Sequence, residues 1–378
     1  AMVKELNEMG IELMVSVWPQ VAFTSENYPE MADRGYLVRT DRGNDVSTWM
    51  GAAVYFDATH PGTQKFVWEK CRQNYYSKGI RCFWLDEAEP EYGDYEFDNY
   101  RYWEGPALQC ANVYPVGYVK GFYDGLRSEG EKDILSLIRC AWAGSQKYAA
   151  LTWSGDICSS FRAMKEQLQA GLSMGMAGIP WWTCDIGGFI GGDISNKDFQ
   201  ELLIRWFAWG CFSPVFRMHG ERSPWHEREQ EFINNVRQLT SGQDNEVWSF
   251  GEENYHILKK YLFIRERLRP YIRKLMQSAS EEGAPVMRPL FYDFPADETA
   301  WKTEDVYMFG PDLLVAPVFE KGATERSIYL PKGAAWQDAY TKKTYPGGQV
   351  ITVPAPLGII PVMIRDGKEF DIYREGDK

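Results

Sequence analysis

Two segments near the start of the chain repeat one local plan. Met2–Met9 carries its apolar residues at helical spacing and stops at Gly10; the apolar run Ile11–Trp18 (IELMVSVW) follows until Pro19 ends it. Gln64–Tyr76 again has helical spacing, Gly79 follows, and Ile80–Leu85 is a second short apolar run that delivers Asp86 at its end. A glycine just past a helix takes the left-handed conformation that turns the chain back, and a short, mostly apolar run marks a buried strand. Downstream, helices are predicted over Val116–Leu126, from a Ser159 or Ser160 cap to about Met174, and over Lys197–Phe207. Strands are predicted over Ile134–Ile138, Ala149–Trp153, Gly178–Trp182 and, last, Pro214–Met218. Such alternation implies a parallel sheet with helices outside it.

Polar, Gly- and Trp-rich punctuation falls at the C-terminal ends of these strands, where barrel active sites sit. An open doubly wound sheet would more often show a glycine-rich phosphate loop, and neither G-x-G-x-x-G nor G-x-x-x-x-G-K occurs. The expected fold is therefore α/β, a (β/α)8 TIM-type barrel. EAEPEYGDYEFDNYRYWEGP is a long loop after Asp86, and loops of such length usually carry function. A long amphipathic helix is predicted over Tyr255–Ala279, bent at Pro270. After Gly283 the texture changes to short strand-like segments, Val286–Tyr292, Val306–Phe309, Leu313–Val318, Ser327–Leu330 and Gln349–Val353, separated by turn clusters. We expect a barrel over residues 1–283 and an all-β sandwich domain over 284–378, since 378 residues exceed what one ordinary core serves.

Composition narrows the chemistry. The formal net charge is −12 and no basic run interleaves with the aromatics, which argues against a nucleic-acid partner. No apolar stretch is long enough for a membrane-spanning helix, so no membrane partner is expected. The seven cysteines are odd in number, scattered and never spaced as C-x-x-C, and read as reduced thiols. The four histidines form no H-x-x-x-H pair, so neither a metal nor another cofactor is expected. The opening AMVKELNEMG lacks the basic and apolar regions of a secretory signal. Cytoplasmic location is the default expectation, although the opening reads like mid-protein sequence.

Glycoside hydrolysis generally uses two carboxyls flanking one bond, with the pair only about 5–5.5 Å apart in retaining enzymes. Two strand-end aspartates qualify: Asp86 in FWLDEAEPE and Asp156 in LTWSGD. They can meet only if both strands share one barrel rim. An isolated strand-end aspartate is more often a loop or helix cap. Trp84, Trp153, Trp181 and Trp182 lie beside these groups in sequence, and flat aromatic faces suit the C–H faces of sugar rings. Each could equally be core.

FWLDEAEPE resembles the nucleophile segment of glycoside hydrolase family 31, and Arg139–Asp156 (RCAWAGSQKYAALTWSGD) resembles its acid/base segment. PWWTCDIGGF (Pro180–Phe189) and RWFAWGCFSPVFRMHGER (Arg205–Arg222) resemble the next two strand-end motifs, in the same order. The resemblance runs to about Arg365 and implies a barrel followed by β-sandwich domains. It implies that Asp86 is the nucleophile of a retaining, exo-acting α-glycosidase and Asp156 its acid/base. It also implies that Arg139 binds the sugar or orients a carboxylate and that Asp185 and His219 bind sugar hydroxyls, with Glu89 in a matching acidic position. The W-L-D-x-x-E-P-E form is similar to that of several α-xylosidases, whereas the α-glucosidase form W-x-D-M-N-E is absent. An α-xyloside is the first expectation and an α-glucoside the next; a non-catalytic carbohydrate-binding protein on a degenerate barrel is the rival class. Family members carry two further strands before the helix that opens this chain. The resemblance therefore implies one piece of a longer enzyme, whose remaining part is a possible partner alongside the oligosaccharide or glycoside substrate.

Overall fold

The computed structural model describes residues 1–378 apart from 44, 45, 47, 49, 50, 225–231, 234, 235, 238–241 and 375–378. The chain divides into two compact units, Ala1–Trp153 and Ser154–Lys378.

In the first unit, α1 (Met2–Glu8) precedes β1 (Met14–Val17), α2 (Pro61–Asn74) precedes β2 (Cys82–Leu85), α3 (Tyr114–Ser128) precedes β3 (Ser136–Ile138), and β4 (Ala150–Trp153) closes the unit. The four strands are parallel, in the order β1-β2-β3-β4. Helix α2 starts where Pro61 fixes φ and the His60 Nδ1 accepts the Gly62 N–H at 2.8 Å, which satisfies a donor the helix itself cannot. Helix α3 presents Gly117, Gly121 and Gly125 on one face. A Cβ at Gly125 would lie 2.2 Å from the Trp68 ring of α2, so the two helices can approach only because that atom is missing.

Phe83 of β2 meets Trp68 and Phe122 of those helices, with ring centroids 6.0 and 5.1 Å apart. Burying such a ring is worth about 1.5–3 kcal/mol. Side chains alternate along a strand; with Phe83 and Leu85 facing the helices, Trp84 and Asp86 face the opposite side of the sheet. The stretch expected as loop contains structure of its own. Tyr100–Tyr102 pairs antiparallel with Arg39–Thr40 and with Gly105–Pro106, because Tyr92, Tyr100 and Tyr102 bury their rings in the core of this unit.

In the second unit, Ser160 Oγ accepts the Ala163 N–H at 3.1 Å and starts α4 (Phe161–Met176). β5 (Trp182–Thr183) and α5 (Lys197–Gly210) follow, then α6 (Glu252–Glu282), which continues through Pro270 and ends at Gly283 with φ 69°. Among these described helices none is long and apolar enough to cross a membrane. The strand expected over Gly178–Trp182 shrinks to β5. The one expected over Pro214–Met218 is not a strand: it contributes a single bridge, Met218 to Ile186. Side chains bond carbonyls at its start: Arg265 donates to those of Cys211, Ser213 and Pro214 at 2.9, 2.6 and 2.8 Å, and the Thr183 hydroxyl to that of Val215 at 3.1 Å.

Beyond α6 a six-stranded sheet runs in the order β6 (Met287–Arg288), β7 (Tyr307–Phe309), β8 (Leu313–Val315), β13 (Val362–Arg365), β10 (Ala335–Asp338) and β11 (Thr344–Pro346). A separate antiparallel pair joins β9 (Glu325–Leu330) to β12 (Gln349–Pro354). Tyr307, Phe309, Leu313, Val315, Val362 and Ile364 face the core shared with the helices. The alternate residues Met308, Leu314 and Met363 face a second core with Ile328 and Ile351 of the strand pair. The strands YMF, LLV and VMI are apolar throughout because both faces are covered.

Candidate active site

In the first unit, strand register brings several of the expected residues together. Trp84 stands beside Ser16 of β1 and Leu137 of β3, and Leu85 beside Val17 and Ile138. One residue further on, the same register aligns Trp18, Asp86 and Arg139 at the C-terminal ends of three neighbouring strands. Two backbone bonds extend the ladder to that level, Asp86 N–H to Val17 O at 3.1 Å and Arg139 N–H to Leu85 O at 3.2 Å.

The Asp86 carboxylate lies 3.8 Å from the Arg139 guanidinium, accepts the Glu87 N–H at 2.9 Å and is hydrogen-bonded by the Trp18 side chain. Arg139 also reaches Glu89 at 3.0 Å and Glu91 at 2.5 Å, so one guanidinium is shared by three carboxylates. Burial pushes the Asp86 pKa up; the Glu87 N–H, Arg139 and Trp18 oppose that rise, while Glu91 adds to it. Burial likewise raises Glu89 against the pull of Arg139. Behind this group the Gln20 amide donates to Glu87 at 2.8 Å and to Tyr55 at 3.3 Å, and the Tyr55 hydroxyl donates to the Glu91 carbonyl. Trp84 is half-buried and meets the buried Trp153 edge to face, with centroids 5.6 Å apart.

Within the second unit, Asp156, Asp185 and His219 lie on three loops that are knitted together. Phe189 and Ile190 donate their N–H groups to Ile157 O at 2.7 and 3.0 Å, Ser159 N–H reaches Ile190 O at 2.8 Å, and Glu221 N–H reaches Phe189 O at 2.9 Å. The buried Arg222 clamps the same loops, donating to the carbonyls of Gly188, Ile186 and His219 at 2.8, 3.1 and 3.2 Å. Gly188 has φ 77°, and a Cβ there would come within 2.6 Å of Ser159 backbone. Only glycine allows the Asp156 and Asp185 loops to lie this close.

Asp156 is exposed, whereas Asp185 is fully buried and ion-paired with Arg217. Burial lifts the Asp185 pKa to about 6, with Arg217 opposing and the Asp156 charge adding. Burial, followed by Arg217 and Arg222, lowers His219 to about 4, and its ring lies stacked 5.5 Å from Phe189. A neutral imidazole can both donate and accept, which suits hydroxyl groups. Trp182 goes elsewhere: its ring packs in the hydrophobic core, where a Cβ on Gly171 of α4 would come within 2.7 Å of it.

The model of the glycosyl hydrolases family 31 TIM-barrel domain matches residues 1–275, and that of the family's C-terminal domain matches residues 283–368. The chain belongs to glycosyl hydrolase family 31. A family 31 α-xylosidase from a soil metagenome, solved with xylose, superposes with a TM-score of 0.95 at 55% identity, covering 97% of this chain and 54% of the other. Alpha-xylosidase A of Aspergillus niger is 33% identical over 408 residues, covering 96% of this chain and 54% of that protein. An uncharacterized family 31 glucosidase, ORF2, of Pseudescherichia vulneris is 59% identical over 225 residues, which is 59% of this chain and 42% of that protein. The chain thus spans about half the length of the curated relatives it matches. As the sequence implied, this family 31 chain is a TIM-barrel domain followed by a C-terminal β-sandwich domain.

Several groups around the family 31 motifs escaped the sequence reading: Trp18, Glu91, Arg217 and Arg222. Trp18 carried a usable signal, since it ends β1 just as Asp86 ends β2. Arg217 and Arg222 lie inside RMHGER, where His219 alone was singled out. Nothing local distinguishes a clamping arginine from a solvated one.

Proposed function

We propose that the chain carries the catalytic centre of a retaining, exo-acting α-glycosidase, with Asp86 as nucleophile and Asp156 as acid/base. The aligned row of Trp18, Asp86 and Arg139 supports this reading most directly, because it holds a partly buried carboxylate beside a cation and hydrogen-bond donors. Burial sharpens the nucleophile, and those partners favour its ionised form. In the first step an Asp86 oxygen bonds to the anomeric carbon while the C–O bond to the leaving group breaks, and Asp156 gives that oxygen its proton. In the second step water attacks the same carbon, passes a proton to Asp156 and releases the Asp86 carboxylate. Two inversions retain the configuration.

Arg139 holds the Asp86 loop through Glu89 and Glu91, while Asp185 and the neutral His219 bind sugar hydroxyls. Trp84, with Trp153 behind it, offers an aromatic wall. The terminal sugar is α-xylose on this reading, supported by the W-L-D-x-x-E-P-E segment and by the α-xylosidases among the relatives. The glucosidase named among the relatives favours an α-glucoside as the second reading. An activated 2-fluoro-α-xylosyl donor should label Asp86 covalently, located by peptide mass, and Asp86→Ala should abolish turnover of aryl α-xylosides. Labelling at another residue, or none with either sugar, would remove the assignment.

A further inference from the structure

The loop that follows Asp86 exposes rings where a fold has no use for them. Residues 93–98 are all exposed, yet both feet of the segment are fixed in the core of the first unit. At one foot the buried Tyr92 hydroxyl meets that of Tyr102 at 2.6 Å, and its ring lies 4.4 Å from Tyr100. At the other, the Asn99 Oδ1 accepts the Arg42 N–H at 3.0 Å and its amide donates to Glu96 at 2.9 Å. The Arg42 guanidinium pairs with Asp98. Between these anchors Tyr95 is 55% and Phe97 37% exposed, with ring centroids 5.5 Å apart, and Tyr95 sits 6.0 Å from Tyr92, edge to face. Tyr95 is also within electrostatic reach of Glu89, Glu91 and Arg139, the groups around the nucleophile.

Tyr95 and Phe97 thus form one contiguous exposed aromatic patch on a loop anchored at both feet, and contiguous exposed apolar patches rimmed by polar residues mark ligand-binding surfaces. The tip reads Asp94, Tyr95, Glu96, Phe97, Asp98, so carboxylates alternate with rings. Rings suit the C–H faces of a sugar and carboxylates accept its hydroxyls, while an anionic ligand would be repelled. We propose that Tyr95 and Phe97 form the platform for the leaving-group side of the glycoside and that it takes a neutral pyranose unit. This rests on the glycosidase reading above: the terminal sugar sits at Asp86, and the remainder of the glycoside leaves toward solvent past the exposed tip.

The test uses the native full-length polypeptide and the double variant Tyr95→Ala/Phe97→Ala, with α-xylosyl fluoride and an α-xylosyl-glucose disaccharide as substrates. Fluoride has no ring to rest on the platform. The variant should hydrolyse the fluoride at the wild-type kcat/KM, which also shows that it is folded. On the disaccharide its kcat/KM should fall about tenfold or more, through KM, because each lost aromatic contact weakens binding severalfold. An unchanged disaccharide rate, or an equal loss on both substrates, overturns the platform. A wild-type protein that turns over neither these substrates nor their α-glucosyl counterparts overturns the glycosidase reading, and this inference with it.

Discussion

Replacing Arg139 by Met removes one charge while keeping most of the side-chain length, and the three carboxylates around it report the loss differently. Opposite charges about 4 Å apart interact by roughly 4 kcal/mol at the effective dielectric of a protein's outer layers. Arg139 divides that attraction among Glu91 at 2.5 Å, Glu89 at 3.0 Å and Asp86 at 3.8 Å, and the carboxylates are between 15% and 33% exposed. Asp86, the most distant, therefore receives the smallest share. The guanidinium lowers the Asp86 pKa, so its removal raises it. The nucleophile reacts only when ionised, and the acidic limb of kcat/KM should move toward higher pH. Measured with an aryl α-xyloside across pH, the variant should lose activity mainly on the acidic side and little on the plateau. A loss of equal size at every pH would instead mean that Arg139 acts by touching the sugar. An unmoved limb in a folded variant would refute the charge-sharing argument. Stability should follow the same sign: carboxylates whose pKa is raised by folding cost stability above that pKa, so the variant's melting temperature should recover partly as pH falls.

Gly188→Ala should destabilise the protein by about 2–4 kcal/mol, adding about 1–2 for a left-handed alanine to the overpacking cost of a Cβ set 2.6 Å from Ser159 backbone; chemical denaturation within 0.5 kcal/mol of wild type would contradict the packing. His219 has a pKa lowered to about 4. The unfolded chain takes up that proton near pH 6.5 and the folded one does not, so this group's stability contribution is lost as pH falls from about 6.5 to 4, by at most about 3 kcal/mol. His219→Gln should therefore compare progressively better with wild type as pH is lowered through that window, read as the difference in melting temperature. A difference independent of pH would show that the imidazole is not desolvated.

The sequence by itself determined the alternating helix and strand plan, the carboxylates at the strand ends and the order of the four motifs. These are carried by local spacing and by residues adjacent in the chain. Tertiary structure decided what surrounds each carboxylate. Trp18, Asp86 and Arg139 form one row only because β1, β2 and β3 pair in that register, and register depends on contacts across 68 positions between Trp18 and Asp86. Trp84 and Trp182 look alike in sequence, yet strand alternation turns Trp84 away from the helices while Trp182 fills the space left by Gly171. Pro214–Met218 had the composition of a strand, yet of that segment only Met218 forms a bridge, to Ile186, and the Pro214 carbonyl accepts from the Arg265 side chain instead. Alternation and spacing are properties of a segment. Burial and partnership belong to pairs of segments, and only the folded chain chooses the pairs.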